Sequence, residues 1–176
     1  VMTKNPEDTP DTPTYTEIEF EAGKPVAVDG KKMKLSEIVI ALNKISGDNG
    51  FGRLDLVEDR LVGLKSRECY EVPGALTLIT AHKALEDICV EGDLLKTKIK
   101  LEQDWATAVY NGQWYSPLKN ALDAFMADTQ KFVTGTVRLK FFKGNCHVVG
   151  RKSPFSLYDY GLATYDRDTT FDEKAS

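Results

Sequence analysis

The spacing of apolar residues switches between a period of two and a period near 3.6, and these switches divide the chain into elements. Between Tyr15 and Glu21, Ile18 and Phe20 alternate with Glu17, Glu19 and Glu21, which predicts a strand with one wet face. Pro25 to Val28 followed by Asp29-Gly30 predicts a second short strand and a tight turn. From Ser36 the period lengthens. Ile38, Ala41, Leu42 and Ile45 mark a helical face, with Ser36 as the expected N-cap and Gly47 as the expected stop. Arg53 to Leu64 mixes Leu and Val with charges and predicts one or two strands. A second helix is expected from Pro73, with Ala75, Leu78, Ile79, His82, Leu85 and Cys89 on one stripe. A third runs from about Asp93 to Tyr110 on Leu94, Leu101, Trp105, Ala108 and Val109. Ser116-Pro117 is a strong helix start, and Leu118, Ala121, Leu122, Phe125 and Met126 give the fourth helix its apolar face. After Thr134 the period returns to two: Val137, Leu139 and Phe141 alternate with polar residues, Lys143-Gly144-Asn145 turns, and Cys146 to Gly150 returns.

Strands cluster at both ends with about four helices between them, and no βαβ unit recurs. The expected class is therefore α+β with a mixed or antiparallel sheet. Residues 1–14, with Pro6, Pro10 and Pro13 and no apolar period, read as a linker entering one domain at residues 15–172. Residues 173–176 read as the start of a tail, and both ends are expected to be cut from something longer.

Composition narrows the function classes. A net charge of −4 without any basic block gives no basis for a nucleic-acid partner, and no apolar run reaches the roughly 18 residues a membrane span needs. Cys69, Cys89 and Cys146 are odd in number and lack a CxxC pair, as expected of reduced thiols in a cytoplasmic protein.

Candidate chemistry is sparse. Gly47, Gly50 and Gly52 form a glycine-rich stretch, but it follows a helix and precedes a strand, the reverse of a phosphate loop. His82 sits on an apolar stripe and reads as a hydrogen-bonded core residue. Cys146 and His147 are strand neighbours pointing to opposite faces, and so cannot share an ion. Asp166, Asp168 and Asp172 fail the calcium-loop pattern, which has Phe171 where glycine is needed. No catalytic residue, metal ligand or nucleotide loop of this chain's own is expected. The densest polar stretch is Val57 to Gly74. Its pattern fits either an exposed strand pair laced by cross-strand charges or a polar substrate wall.

That stretch also carries a resemblance. "GRLDLVEDRLVGLKSRECYEVPGALTLITAHKALE", residues 52–86, is similar to the signature region of argininosuccinate synthases. "WYSPLKNALDAF" from Trp114, "VTGTVRLKFFKGN" from Val133 and "VVGRKSPFSLYDYGLATYD" from Val148 follow in that family's order. The resemblance implies the C-terminal domain of a ligase that condenses citrulline with aspartate, converting ATP to AMP and pyrophosphate. ATP, with Mg expected, would be held by a nucleotide-binding half whose Ser-Gly-Gly loop is not in this sequence. The implied partners are citrulline, that N-terminal half and further copies in a homotetramer. By alignment of "VEDR" and "ECYEVPG", the resemblance assigns citrulline contacts to Glu58 and Tyr70. The alternative is a free-standing citrulline-binding or oligomerisation module. Two positions depart from the common pattern: Asp59 stands where many members have Asn, and Val72 where many have Thr, which removes a hydroxyl beside the expected site.

Overall fold

The computed structural model describes residues 2–60 and 62–159. Its strands are β1 (Thr14–Glu21), β2 (Lys24–Val28), β3 (Lys31–Lys32), β4 (Arg53–Asp59), β5 (Lys65–Glu71), β6 (Gly135–Phe142) and β7 (Asn145–Lys152). Its helices are α1 (Leu35–Asp48), α2 (Pro73–Cys89), α3 (Gly92–Tyr110) and α4 (Pro117–Thr129). The fold is α+β, and every strand pair is antiparallel. One sheet has the order β3-β2-β1-β6-β7, and β4 with β5 form a separate two-stranded hairpin.

Period-two patterning gives the large sheet its two faces. Ile18, Val137, Leu139 and Phe141 are fully buried beneath α1 and α2, while Glu17, Glu19 and Arg138 face solvent. The β1–β2 pair carries its bulge at Glu19/Phe20, and β2 closes onto β3 through Asp29 (φ 50°) and Gly30 (φ 74°). Asp29 also fixes the strand above it. Its carboxylate accepts from the Glu17 amide at 2.8 Å and from the buried Thr16 hydroxyl at 3.0 Å.

Four local expectations need correction. Ser36 lies inside α1; the cap position is Lys34, whose amide donates to the Glu37 carboxylate at 2.9 Å. Gly47 does not stop the helix but sits buried within it, because a Cβ there would fall 2.2 Å from the Met2 carbonyl oxygen. The left-handed residue that ends the turn is Gly50, at φ 76°. The stripe expected on α2 is rotated: Ala75 and Ile79 are exposed, and Gly74, Thr77, Ala81, Ala84 and Leu85 are buried. Small residues win because α1 crosses closely, and a Cβ on Gly74 would come 2.8 Å from the Val39 carbonyl oxygen. On α4, Ser116 caps as expected by accepting from Lys119 N at 3.2 Å. There Leu122 is buried, but Leu118 and Ala121 face outward.

The segment read as a linker is packed along the domain. Thr3 and Thr9 are buried, Pro6–Asp8 makes a 3₁₀ turn, and Lys143 Nζ donates to the Thr9 carbonyl at 2.8 Å. All three cysteines are free thiols. The acidic residues Asp166, Asp168 and Asp172 and the tail at 173–176 lie outside the described residues. Among those described, no cluster could hold a metal ion and no helix is long and apolar enough to cross a membrane.

Candidate functional site

The β4–β5 hairpin is the least covered element. Val57, Val62 and Leu64 lie more than 60% exposed, so its strands pack chiefly on each other. In its register Glu58 stands opposite Ser66, Leu56 opposite Glu68 and Leu54 opposite Tyr70. Directly opposed residues of an antiparallel pair share a face, so Glu58, Ser66, Glu68 and Tyr70 all project from one side. Arg53, Asp55, Val57, Arg67, Cys69 and Glu71 project from the other.

Both residues assigned by resemblance are thus brought together. Glu58 and Tyr70 line one cleft of about 490 Å³ with Arg60, Val62, Glu68 and Tyr110. The Glu58 carboxylate beside the Tyr70 hydroxyl, with desolvation and the negative field of Glu58 and Glu68, holds the phenol above its ordinary range. The two arginines that could have neutralised Glu58 are engaged elsewhere. Arg60 pairs with Glu68 at 3.0 Å. Arg67, on the opposite face, forks onto Asp55 at 2.8 and 2.6 Å. The cleft therefore holds two carboxylates against one guanidinium, an excess of negative charge suited to an ammonium. Beside it the Ser66 Oγ is buried with no hydrogen-bond partner among the described residues, directly across from Glu58.

Sequence reasoning did not single out Tyr110. It enters the cleft from the last turn of α3, and nothing in local spacing connects residue 110 to the hairpin. Glu68 and Ser66 were legible in principle, since they share Tyr70's parity on β5. The segment Gly150 to Pro154 is tied into the fold: Arg151 Nε donates to the Ala84 carbonyl at 2.9 Å, and Ser153 Oγ to the Thr134 carbonyl at 2.6 Å.

A second polar cluster occupies a cavity of about 850 Å³ between α2, α3, α4 and the β1–β2 turn. Buried Lys98 pairs with buried Glu86 at 3.0 Å and with Glu102. Burial opposes its charge, but the two carboxylates outweigh that and hold the ammonium above its usual range. Gln130 donates to Glu86 at 2.6 Å and its amide oxygen meets His82 Nε2 at 2.7 Å, so His82 is the hydrogen-bonded residue its stripe suggested. These groups are matched to each other, and we read them as the polar tie between the helices.

The chain has clear relatives. The family described as "Arginosuccinate synthase C-terminal domain" matches residues 1–176. It is similar to "Argininosuccinate synthase" of Rubrobacter xylanophilus, 51% identical over 99% of this chain, and to those of Bacillus pumilus and Bacillus subtilis, each 55% identical over 97%. The match covers 43%, 42% and 42% of those relatives, so the chain spans less than half of their length. The matched region is their C-terminal part.

Proposed function

The chain belongs to the argininosuccinate synthase family, and from that premise we propose that it forms the citrulline wall of a ligase of arginine biosynthesis. In this reading the ligase joins citrulline to aspartate while ATP becomes AMP and pyrophosphate. The ureido oxygen of citrulline attacks the α-phosphate and expels pyrophosphate. The aspartate amine then attacks the ureido carbon, AMP leaves with the C–O bond's electron pair, and the amine proton is released. ATP and Mg belong to the preceding half of the protein; this chain performs no bond-making step.

What the hairpin contributes is placement. Citrulline's ureido end is neutral, so its amino-acid end must carry the charge recognition. Glu58 takes the α-ammonium, a charge-assisted bond worth roughly 1.5–3 kcal/mol when shielded. Tyr70 orients that carboxylate through its hydroxyl and adds a stiff hydrogen-bonding group at the same end. Held there, the ureido oxygen is directed at the α-phosphate, so the catalytic benefit is orientation. The observation that carries this reading is the pairing of Glu58 with Tyr70 in one cleft, on the face opposite the Arg67–Asp55 fork. We further propose a cytoplasmic homo-oligomer, a tetramer as in the family.

The test is steady-state AMP release by the ligase that contains this chain. Glu58→Gln is expected to weaken citrulline use by about 1–3 kcal/mol, roughly 5- to 150-fold in kcat/KM, with aspartate and ATP constants little changed. Unchanged citrulline kinetics would remove Glu58 from the site.

A further inference from the structure

The back of the hairpin is fastened in a way that the substrate contacts do not explain. Arg53 and Glu71 face each other at its root, on the side opposite Glu58 and Tyr70. Both reach to residues 2–5. Glu71 accepts from the Met2 amide at 2.6 Å, the Thr3 amide at 3.2 Å and the Thr3 hydroxyl at 2.5 Å. Arg53 donates to the same Thr3 hydroxyl at 2.6 Å, to the Thr3 carbonyl at 2.7 Å and to the Asn5 side chain at 3.0 Å. Thr3 is 3% exposed, so the knot is closed to solvent at its centre. The segment's other side is tied to α1, with Lys4 N donating to the Gly47 carbonyl at 2.9 Å. Residues 2–5 therefore form a strut between the last turn of α1 and the hairpin root.

Because the hairpin packs chiefly on itself, its direction is set at that root. Glu58 lies five residues beyond Arg53, about 16 Å at roughly 3.3 Å per residue. A swing of about 5° at the root moves Glu58 by about 1.4 Å, and a misplacement of about 1 Å is enough to cost on the order of 100-fold in rate. We propose that Arg53 and Glu71 are positioning residues for citrulline, using residues 2–5 as a strut to fix the angle at which Glu58 and Tyr70 are presented. This rests on the reading of the hairpin as the citrulline wall.

The experiment is steady-state kinetics of the full-length ligase carrying Glu71→Gln, Arg53→Ala, Arg53→Lys or Thr3→Val, with melting curves for each. Glu71→Gln and Arg53→Ala should raise the citrulline KM roughly 10- to 100-fold while the ATP and aspartate constants stay within about twofold. Arg53→Lys should recover part of the loss. The Arg53→Ala/Glu71→Gln double variant should be no worse than the worse single, since both cut one device. Thr3→Val severs the knot from the other side and decides the matter should either root variant fail to fold. A citrulline KM within twofold of wild type in the folded variants, or an equal loss in all three substrate constants, overturns the proposal. If Glu58→Gln and Tyr70→Phe also leave citrulline use unchanged, the citrulline wall itself has failed. If those two raise the constant and the strut variants do not, only the strut has.

Discussion

Gly52 joins the hairpin to the body of the domain at a backbone position no other residue fits, and Gly52→Ala measures how rigid that joint is. Its φ of +119° lies where an L side chain is strained, at roughly 1–3 kcal/mol. Its Cβ would also stand 2.2 Å from Pro73 Cα, 2.6 Å from Pro73 Cβ and 2.7 Å from Pro73 N. These atoms open α2, and the Val72 amide beside them donates to the Gly52 carbonyl at 2.8 Å, so no flexible side chain can move aside. Overpacking of that kind costs about 1–3 kcal/mol. The sum, roughly 2–6 kcal/mol, corresponds to a fall in Tm of roughly 4–24 °C for a chain of this size. The control is Gly30→Ala, at φ +74° with nothing within 4 Å of its Cβ, where only a left-handed backbone cost of about 1–2 kcal/mol applies. Urea unfolding followed by circular dichroism gives both numbers from midpoints at constant slope. If Gly52→Ala is no more harmful than Gly30→Ala, the close approach to Pro73 is not rigid and the argument for a stiff root falls with it.

Other outcomes follow from single contacts. Val72 occupies the cap position of α2 without a side-chain cap bond, so Val72→Thr is expected to stabilise the domain by about 0.5–1 kcal/mol in urea unfolding. That gain would assign a hydroxyl at this position to the helix rather than to substrate. Lys98→Met should destabilise by about 2–4 kcal/mol, less than a fully orphaned buried charge because Gln130 still donates to Glu86, and Lys98→Met/Glu86→Leu should recover part of it. Burial pushes the Cys146 thiol from 9.0 up to about 12, so its contribution is complete below pH 9 and is lost as pH rises from there toward 12, in alkaline unfolding. In native chain near pH 8 only exposed Cys69 should react quickly with a disulfide reagent. Glu71 is held at about 2, first by the Thr3 hydroxyl and then by the Met2 amide. The strut should therefore be intact above pH 4.5 and loosen as pH falls toward 2, followed by the Thr3 amide resonance.

The strands were legible because alternation is local: Ile18, Val137, Leu139 and Phe141 are each placed by the residues beside them. The candidate pair was legible only through resemblance. Parity on β5 puts Tyr70 with Glu68 and Ser66, but residue type alone could not separate a substrate wall from charged hairpin strands. The misses arise where distant backbone approaches closely. Apolar spacing nominated Ala75 and Ile79 for the buried side of α2, whereas the crossing of α1 requires Gly74, Ala81 and Ala84. Gly47 reads as a stop until Met2, far away in sequence, is seen resting on it. The strut was hidden for the same reason, since a proline-rich stretch without apolar period gives no sign that Thr3 will be buried against Arg53 and Glu71.

The strand order β3-β2-β1-β6-β7 has a consequence for how the protein is made. A local three-stranded meander, β1-β2-β3, and a local hairpin, β6-β7, are joined by one central seam, β1 to β6, whose partners lie more than a hundred residues apart. Closing that loop costs about 4 kcal/mol in chain entropy before any seam hydrogen bond forms. During synthesis, at roughly 5–20 residues per second, β1 waits on the order of ten seconds for β6 to be made. Through that interval its inner face carries Ile18 and Phe20, and its outer face Glu17 and Glu19. The glutamates that look merely solvated in the finished sheet are the charges that discourage a bare strand from pairing with a neighbouring nascent chain while its own partner is still unwritten.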